Sequence, residues 1–172
     1  MRLNSSLFLL PATELASLLL GKILCRRING EILRYRITET ECYYGEEDTA
    51  CHAHRGKTLR TATLYLRGGH SYVYLCYGIH NLLNVVSGKE GHPEAVLIRG
   101  VVGFNGPGKL TRAMAIDRSL NAVDLTISNE IWIEDDGTVL SYHTERRVGI
   151  DYAAPADRDR PWRFIADSQN AD

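Results

Sequence analysis

The sequence predicts a single α+β domain spanning residues 1–172, built on a curved, mostly antiparallel, barrel-like β-sheet with a few helices and a protruding β-hairpin. Three observations predict it. The chain has 172 residues, a length that one hydrophobic core can serve. Its apolar runs are mostly short and β-prone, and tight turns separate them. Only two segments, about 13–20 and 109–116, have the pattern of a helix.

An amphipathic helix is predicted near the N-terminus, where the apolar opening superficially suggests a signal peptide. Leu15, Leu18 and Leu19 repeat at helical spacing, with Thr13 as the expected N-cap and Gly21 as the expected C-cap. A glutamate interrupts the apolar stretch, and no run reaches the ~18–20 apolar residues of a membrane span. We therefore expect no secretion and no membrane association, a cytoplasmic or nuclear location, and four reduced cysteines.

Turn signals divide the rest of the chain. Asn29-Gly30 is typical of a two-residue hairpin, and Gly106-Pro107-Gly108 breaks the chain before the second helix. The remainder is strand-like, with a turn at Asp136-Gly137, and residues 167–172 are expected to fray. The predicted strands of the first two thirds are 22–28, 31–42, 71–77, 82–87 and 95–102.

The formal net charge of −1 conceals a segregation along the chain. Residues 55–118 carry nine Lys/Arg against three Asp/Glu, whereas residues 119–172 carry five against eleven. The total alone argues against a nucleic-acid partner, whose phosphates require a basic surface. The segregation instead predicts a basic face in the middle third, with the acidic third on the far side or paired with structural arginines.

Two glutamates near the end of the second strand are the first candidate site. Strict alternation places Glu39 and Glu41 on the same face as Tyr35 and Ile37. Two carboxylates on an apolar face are costly without partners or a purpose, so one reading is a general base in a partly dry site. The other reading is that the strand frays near Cys42 and both carboxylates face water.

Tyrosines and positive charges are interleaved in the middle of the chain. Aromatic rings beside cations are what base stacking and phosphate contact require, although tyrosines also simply populate strands. Six of the nine tyrosines are in this region: Tyr43, Tyr44, Tyr65, Tyr72, Tyr74 and Tyr77. The neighbouring cations are Arg55, Lys57, Arg60 and Arg67.

Two further features have a functional and a structural interpretation. The large side chains of Tyr77-Gly78-Ile79-His80, at a predicted hairpin tip, cannot all be buried, so they form either an interface or a wedge that unstacks a duplex. Arg99 is in phase with Leu97 and Val101 on an apolar strand. An inward arginine has a carboxylate or a polar ligand as its partner, and a structural ion pair is the simpler alternative.

Two motifs are weaker. Cys51-His52-Ala53-His54 offers possible metal ligands, but the HxE and downstream CxxC of a zinc deaminase are absent. Gly106-Pro107-Gly108-Lys109 lacks the spacing of a phosphate-binding loop, although a helix start there can contact one backbone phosphate. We therefore expect no metal and no cofactor.

Blocks of sequence in one order resemble the alkyladenine (3-methyladenine) DNA glycosylase family. They extend over nearly the whole chain, and their common order is far more specific than any single motif. The blocks are ITETECY (37–43), DTACHAHRGKTLR (48–60), SYVYLCYGIHNLLNVV (71–86), AVLIR (95–99) and GPGKLTRAMAID (106–117), together with LASLLLGKIL, RVGI and PWRF.

The resemblance implies roles for the residues that match the family's motifs. Glu41 matches the carboxylate that activates the attacking water. The implied base pocket comprises Tyr43, His52, Tyr74, Asn84 and Arg99, with Asn84 discriminating among purines. The implied wedge comprises Tyr77, Ile79 and His80, with Tyr77 filling the gap left in the duplex. The expected contacts with the DNA backbone are Lys57, Arg60 and Lys109.

The sequence departs from the family's usual pattern in three places. Cys42 stands where alanine is common, Leu59 stands where proline is common, and the connection between Arg99 and Gly106 is very short. None of these is a matched pocket residue.

The resemblance implies a monofunctional DNA glycosylase of base excision repair, which flips alkylated or deaminated purines out of duplex DNA and hydrolyses the N-glycosidic bond. Its partner would be double-stranded DNA with a damaged purine, and we expect a monomer. No lysine matches a pocket position, so a Schiff base is not expected. The residues alone leave two alternatives open: a non-catalytic nucleic-acid-binding module, and a metal-dependent hydrolase using Cys51, His52 and His54.

Overall fold

The computed structural model describes residues 1–167, in which one nine-stranded sheet carries three short helices. The helices are α1 (Ala12–Leu18), α2 (Pro107–Ala113) and α3 (Pro155–Arg158). The strands are β1 (Ile23–Ile28), β2 (Glu31–Tyr44), β3 (Ser71–Cys76), β4 (His80–Val86), β5 (Glu94–Val101), β6 (Phe104–Asn105), β7 (Ile131–Glu134), β8 (Tyr142–Glu145) and β9 (Arg163–Ala166).

Strand pairing curls the sheet into a half-barrel. The ladders are antiparallel, and the main path runs β3-β4-β5-β2-β1-β7. The 14-residue strand β2 changes partners along its length, from β1 in its first half to β5 and β9 in its second. A strand shared in this way bends the sheet around one core, and the predicted α+β class with a curved antiparallel sheet is confirmed.

The main core lies between the helices and the central strands. α1 packs on β2 and β5, and α2 packs on β4 and β5. Phe8, Leu15, Leu83, Ile98 and Met114 are among the fully buried side chains of this cluster. Within the described part of the chain, no helix has the length and apolar character needed to cross a membrane.

The expected caps of the first helix were wrong. α1 begins at Ala12 after Pro11, and the Glu94 carboxylate accepts the Ala12 N–H at 2.5 Å. A side chain from a distant strand therefore satisfies a free N–H at the start of the helix, where a local cap at Thr13 was expected. The helix ends at Leu18, and Gly21 lies beyond its cap with a φ of +83°.

A register shift in β2 corrects the predicted facing of its glutamates. The pairing of β2 with β5 shifts between Ile37 and Thr40, so strict alternation fails there. Ile37 packs in the main core, and so does Thr40, whose hydroxyl donates to the Ala16 carbonyl at 2.7 Å. Glu39 and Glu41 therefore face away from Ile37. Because β2 continues to Tyr44 and both carboxylates are buried, the alternative of a frayed strand end is excluded.

The later part of the chain is less strand-like than predicted. α2 begins at Pro107, two residues early, because proline suits the first helical position. Residues 118–120 form a 3₁₀ turn and Pro155–Arg158 form α3. Asp167, expected in a frayed tail, donates its N–H to the Ser141 carbonyl at 2.9 Å. The rest of that predicted tail, 168–172, lies outside the described residues.

Candidate active site

A cavity of about 610 Å³ opens beside the β3–β4 hairpin. Its walls come from the hairpin, β5, the start of α2 and residues 148–152, so elements distant in sequence meet there. The aromatic and cationic side chains that line it are Tyr43, Tyr72, Tyr74, Tyr77, Tyr152, His52, His80, Arg60, Arg99 and Lys109. Among its described lining residues there is no Asp or Glu. Such a lining suits a planar ring attached to an anion.

Glu41 lies directly behind the cavity wall and is fully buried. Its Oε1 accepts the Val148 N–H at 2.7 Å, and its Oε2 accepts the Tyr43 hydroxyl at 2.7 Å. The Arg99 Nε lies 3.6 Å from Oε1. Since Tyr43, Arg99 and Val148 all line the cavity, one layer of side chains separates the carboxylate from it.

Burial raises the pKa of the Glu41 carboxyl above its ordinary value, while Arg99, the Val148 N–H and the Tyr43 hydroxyl act to lower it. Burial and the neighbouring carboxylate also raise the pKa of Tyr43, so its hydroxyl remains a donor. A carboxylate that is desolvated yet held by three donors can accept a proton more readily than one in water. Glu41 is therefore suited to act as a base.

A buried ion pair fixes the segment that brings Val148 to Glu41. The side chains of Arg147 and Asp48 are 0% and 1% exposed and meet in two parallel bonds, of 2.6 and 3.0 Å. The same guanidinium lies 4.9 Å from the centre of the Tyr43 ring. Because Val148 follows Arg147 directly, this pair positions both the backbone donor and the tyrosine that hold Glu41.

His52 and Tyr74 form one aromatic wall of the cavity. Their ring centres are 4.4 Å apart and their planes make an angle of 71°, so no planar group fits between them. A planar ring that stacks here must therefore lie on the cavity side of this pair, and Tyr43 lines the same cavity. Burial, with Arg60 nearby, lowers the pKa of His52 to about 4, so its imidazole is neutral at pH 7.

Asn84 and Arg99 add polar groups to the same cavity. Asn84 is 4% exposed, and its amide nitrogen donates to the Tyr72 carbonyl at 3.2 Å, which fixes the orientation of the amide. Arg99 donates from Nε to Glu39 at 3.1 Å. Arg99 therefore has the carboxylate partner of the structural interpretation, and it also lines the cavity.

The tip of the β3–β4 hairpin is exposed and conformationally strained. Cys76 pairs with His80, so Tyr77, Gly78 and Ile79 form the turn, with φ of +50° at Tyr77. Tyr77 and Ile79 are 87% and 70% exposed. His80, by contrast, is half-buried against Gly108, so it is not part of the projecting tip. Because a non-glycine residue rarely adopts the left-handed region, the surrounding structure must hold the Tyr77 backbone in this conformation.

The basic candidates surround the cavity unevenly. Arg60 lies 5.5 Å from the Tyr74 ring centre, and Lys109 lies at the mouth on α2. Lys57 is exposed on the neighbouring loop, over Tyr65, and does not line the cavity. Of the nine Lys/Arg in residues 55–118, Arg99 alone pairs with a described carboxylate.

The acidic third contributes residues 148–152 to the cavity wall, but none of its described carboxylates lines the cavity. Most of its carboxylates pair with Lys22, with arginines of β2, or with basic side chains of the C-terminal segment. The pairs are Lys22–Asp135, Arg34–Glu134, Arg36–Asp136, Arg163–Glu145, Arg160–Asp157, Arg146–Asp159 and His143–Asp167.

The Cys51-His52-Ala53-His54 motif is split between different surroundings. The Cys51 thiol is buried near the Pro93 carbonyl, the His52 ring joins the aromatic wall, and the exposed His54 contacts the Glu46 carbonyl. In the part of the chain that the structure describes, no three His, Cys, Asp or Glu side chains are arranged to hold a metal ion.

Sequence reasoning missed the residues that hold Glu41 in place but lie far from it in the sequence. Asp48, Arg147 and Val148 had no assigned role, although Val148 lies 107 residues from Glu41 in sequence and bonds to it directly. Their blocks were recognised, but no local period or spacing connects positions so far apart.

Comparison with known proteins identifies the family. The family model described as methylpurine-DNA glycosylase matches residues 6–104 and 101–170. A protein of Borreliella burgdorferi strain ZS7 is 43% identical, covering 91% of each chain, and one of Natranaerobius thermophilus is 43% identical, covering 95% of this chain and 94% of its own. A protein of Methanocella arvoryzae is 42% identical, covering 90% and 86%. All three are named "Putative 3-methyladenine DNA glycosylase".

These matches agree with the geometry of the site. A carboxylate behind an aromatic cavity with a basic rim is an arrangement that hydrolysis at a nucleotide requires. The chain belongs to the methylpurine-DNA glycosylase family, and it is a DNA-repair hydrolase of the glycosylase type.

Proposed function

We propose that this protein is a monofunctional DNA glycosylase that extrudes damaged purine nucleotides from duplex DNA and hydrolyses their N-glycosidic bond with water activated by Glu41. The observation that carries the proposal is the position of Glu41. It is fully buried and held by Val148, Tyr43 and Arg99, each of which lines an aromatic cavity.

The reaction needs a negative charge near the sugar. Breaking the N-glycosidic bond builds positive charge on the sugar, which an ionised Glu41 would stabilise while it takes a proton from the attacking water. The burial that raises the pKa of Glu41 makes it a stronger base, and the Arg99 guanidinium favours its ionised form.

The aromatic walls supply selectivity. Stacking against the ring faces of Tyr43 and the His52–Tyr74 pair would favour a cationic alkylated purine by ~1–2 kcal/mol over a neutral one. The low pKa of His52 supports this, because a neutral imidazole does not repel a cationic base. Asn84, at the cavity wall, would read the purine edge.

Extrusion of the nucleotide is assigned to the hairpin tip. A base stacked in a duplex is unreachable, and flipping it costs a few kcal/mol. Tyr77, exposed at the tip and lining the cavity, would occupy the vacated space, with Ile79 beside it. Damaged bases pair and stack less well and would flip at lower cost.

The charges of the middle third support DNA binding. Arg60, Lys109 and Lys57 have no described carboxylate partner, so they are free to contact phosphates. Binding should therefore weaken as salt rises. We also propose that residues 1–172 act as one domain and as a monomer, on alkylated or deaminated purines, in the cytoplasm or nucleus.

The experiment is base release from duplexes that each carry one damaged purine, measured in single turnover. Glu41→Gln should abolish release and retain duplex binding, whereas Glu31→Gln, an exposed change on the same strand, should match wild type. Near-normal release by Glu41→Gln contradicts the mechanism, and duplex binding without release by the wild type indicates a non-catalytic binding module.

The same reactions test whether the enzyme is monofunctional. Lys109 is one of the residues that line the cavity, so the reaction of a primary amine at the sugar has to be tested. We expect no protein–DNA adduct after borohydride reduction, because Glu41 and not an amine acts at the sugar. A trapped adduct that is lost in Lys109→Gln contradicts this part of the proposal.

A further inference from the structure

Glu39 is a buried carboxylate that the proposed reaction does not use. It is 9% exposed, and its Oε1 accepts bonds from the Arg99 Nε and the Arg163 Nη1, each at 3.1 Å. It lies opposite Gly100 on β5 and Ile165 on β9, so it joins the two strands that flank β2. The ideal Cβ position at Gly100 is 3.3 Å from the Glu39 Cβ, and the absence of a side chain there makes room for it.

Arg99 lies between two carboxylates and is closer to Glu39. Its Nε is 3.1 Å from Glu39 and 3.6 Å from Glu41. These contacts with Glu39 and Glu41 are made by Nε, and Arg99 is one of the residues that line the cavity. Without Glu39, the planar guanidinium would be expected to close onto Glu41 in a bidentate pair, as arginines commonly do with carboxylates. That pair would withdraw its terminal nitrogens from the cavity.

We propose that Glu39 is a positioning residue, which holds Arg99 by its Nε so that the rest of the guanidinium faces the bound nucleotide and Glu41 remains available to water. The inference rests on the proposed function, in which Glu41 is the base. Glu39 has a second effect on Glu41. Because Arg99 interacts with both carboxylates, it stabilises the ionised form of Glu41 less than it would if Glu39 were uncharged.

The second effect predicts a change in pH dependence. Charged and titratable groups face Glu41 from five parts of the chain: Arg99 on β5, Tyr43 and Glu39 on β2, Tyr74 on β3, Arg163 on β9, and Arg147 and Tyr152 in the segment after β8. Removing the Glu39 charge eliminates a like charge and strengthens the pairing of Arg99 with Glu41. Both changes favour the ionised form of Glu41, so the acidic limb of the rate profile should move to lower pH.

Glu39→Gln tests the inference, because it keeps the shape and removes the charge. We expect single-turnover base release to fall about ten- to hundredfold at its best pH, as for a misplaced catalytic group, with the acidic limb shifted to lower pH. A role in stability alone would lower the unfolding temperature without moving that limb. A wild-type rate, or a limb that does not move to lower pH, overturns the inference.

Two other variants make the result specific. Glu145→Gln removes the outer partner of Arg163, at a side chain that is 49% exposed, and should leave rate and pH profile unchanged. Glu39→Asp keeps the charge but cannot reach Nε equally well, so its rate should fall with a smaller shift to lower pH than that of Glu39→Gln. If Glu39→Gln does not fold, a wild-type rate for Glu39→Asp still overturns the inference.

The outcomes separate this inference from the proposed function. Full activity of Glu41→Gln contradicts the proposed function, whatever Glu39 does. An inactive Glu41→Gln beside a fully active Glu39→Gln contradicts the positioning role alone.

Discussion

The wall around Glu41 and the tip of the β3–β4 hairpin border the same cavity, but they are built in opposite ways. At the wall, Glu41 is fully buried and its two oxygens accept bonds from β2 and from the segment after β8. At the tip, Tyr77 is 87% exposed and its backbone has a φ of +50°. The wall is held by tertiary contacts, whereas the tip carries strain and few contacts.

This difference separates stability from activity. Side chains at the wall contribute to folding and to the proposed chemistry together, because the same bonds serve both. Side chains at the tip contribute little to folding, so a change there should affect the reaction on duplex DNA alone. Substitutions in each region therefore test whether stability and activity separate in this way.

The largest effect is expected at the wall, from Arg147→Met. This change leaves Asp48 buried without its cation, and breaking a buried pair from one side costs about 3–5 kcal/mol of unfolding free energy. Base release should fall as well, because the Val148 N–H and the Tyr43 ring lose their support. Denaturant unfolding and single-turnover release measure the two losses.

The next residue supplies a matched control. Arg146 pairs with Asp159 on the surface, where both side chains are at least half exposed. Arg146→Met should change the unfolding free energy by less than about 1 kcal/mol. Adding Asp48→Asn to Arg147→Met should recover part of the lost stability. If Arg146→Met and Arg147→Met lowered the unfolding free energy equally, the buried ion pair would be no more stabilising than the exposed one, which contradicts the prediction.

The two regions also differ in how far the sequence predicts them. The tip follows from local signals, since Gly78 between two strand patterns predicts a turn and bulky neighbours cannot all be buried there. The wall does not. Strict alternation predicted the wrong face of β2 for Glu39 and Glu41. The register shift after Ile37 arises from the pairing of β2 with β5, which the local sequence does not indicate. Arg147 and Asp48 meet only through the fold, 99 residues apart in sequence.

The same limit applies to the helix caps and to Arg99. Local rules chose Thr13 as the cap, whereas Glu94 reaches the first helical N–H from 82 residues away. The phase of Arg99 on its strand predicted a partner, and its register beside β2 supplied two. Residue type and strand phase thus indicate that a charged group needs a partner, and the tertiary pairing decides which one.

A second prediction concerns His52, in the aromatic wall of the same cavity, and the dependence of protein stability on pH. The pKa of His52 falls from 6.5 to about 4 on folding, so between these values the unfolded chain binds the additional proton. Its contribution to stability is complete above about pH 6.5 and is lost as the pH falls towards 4, by about 2 kcal/mol at pH 5. His52→Phe should lack this loss, which denaturant unfolding at pH 7 and pH 5 can measure.

His54 offers the comparison for that measurement. It is an exposed histidine two residues along the chain, so His54→Phe should keep the wild-type dependence on pH. The prediction is contradicted if His52→Phe loses as much stability as the wild type between pH 7 and pH 5. That outcome would also weaken the argument that a neutral imidazole faces the bound purine.

The smallest effect on stability is expected at the tip, from Tyr77→Gly. Glycine relieves the left-handed strain of about 1 kcal/mol but adds freedom to the unfolded chain, so the unfolding free energy should remain within about 1 kcal/mol of wild type. Release from duplex DNA should nevertheless fall about tenfold, since nothing fills the gap left by the flipped nucleotide.

The substrate then decides why the rate falls. If Tyr77 acts by filling the duplex, the deficit of Tyr77→Gly should disappear with the same damaged purine in a single strand, where no gap forms. Tyr77→Phe keeps the ring and should retain duplex activity. A deficit of equal size on both substrates would instead place Tyr77 among the groups that hold the base, and the tip would then belong functionally to the wall.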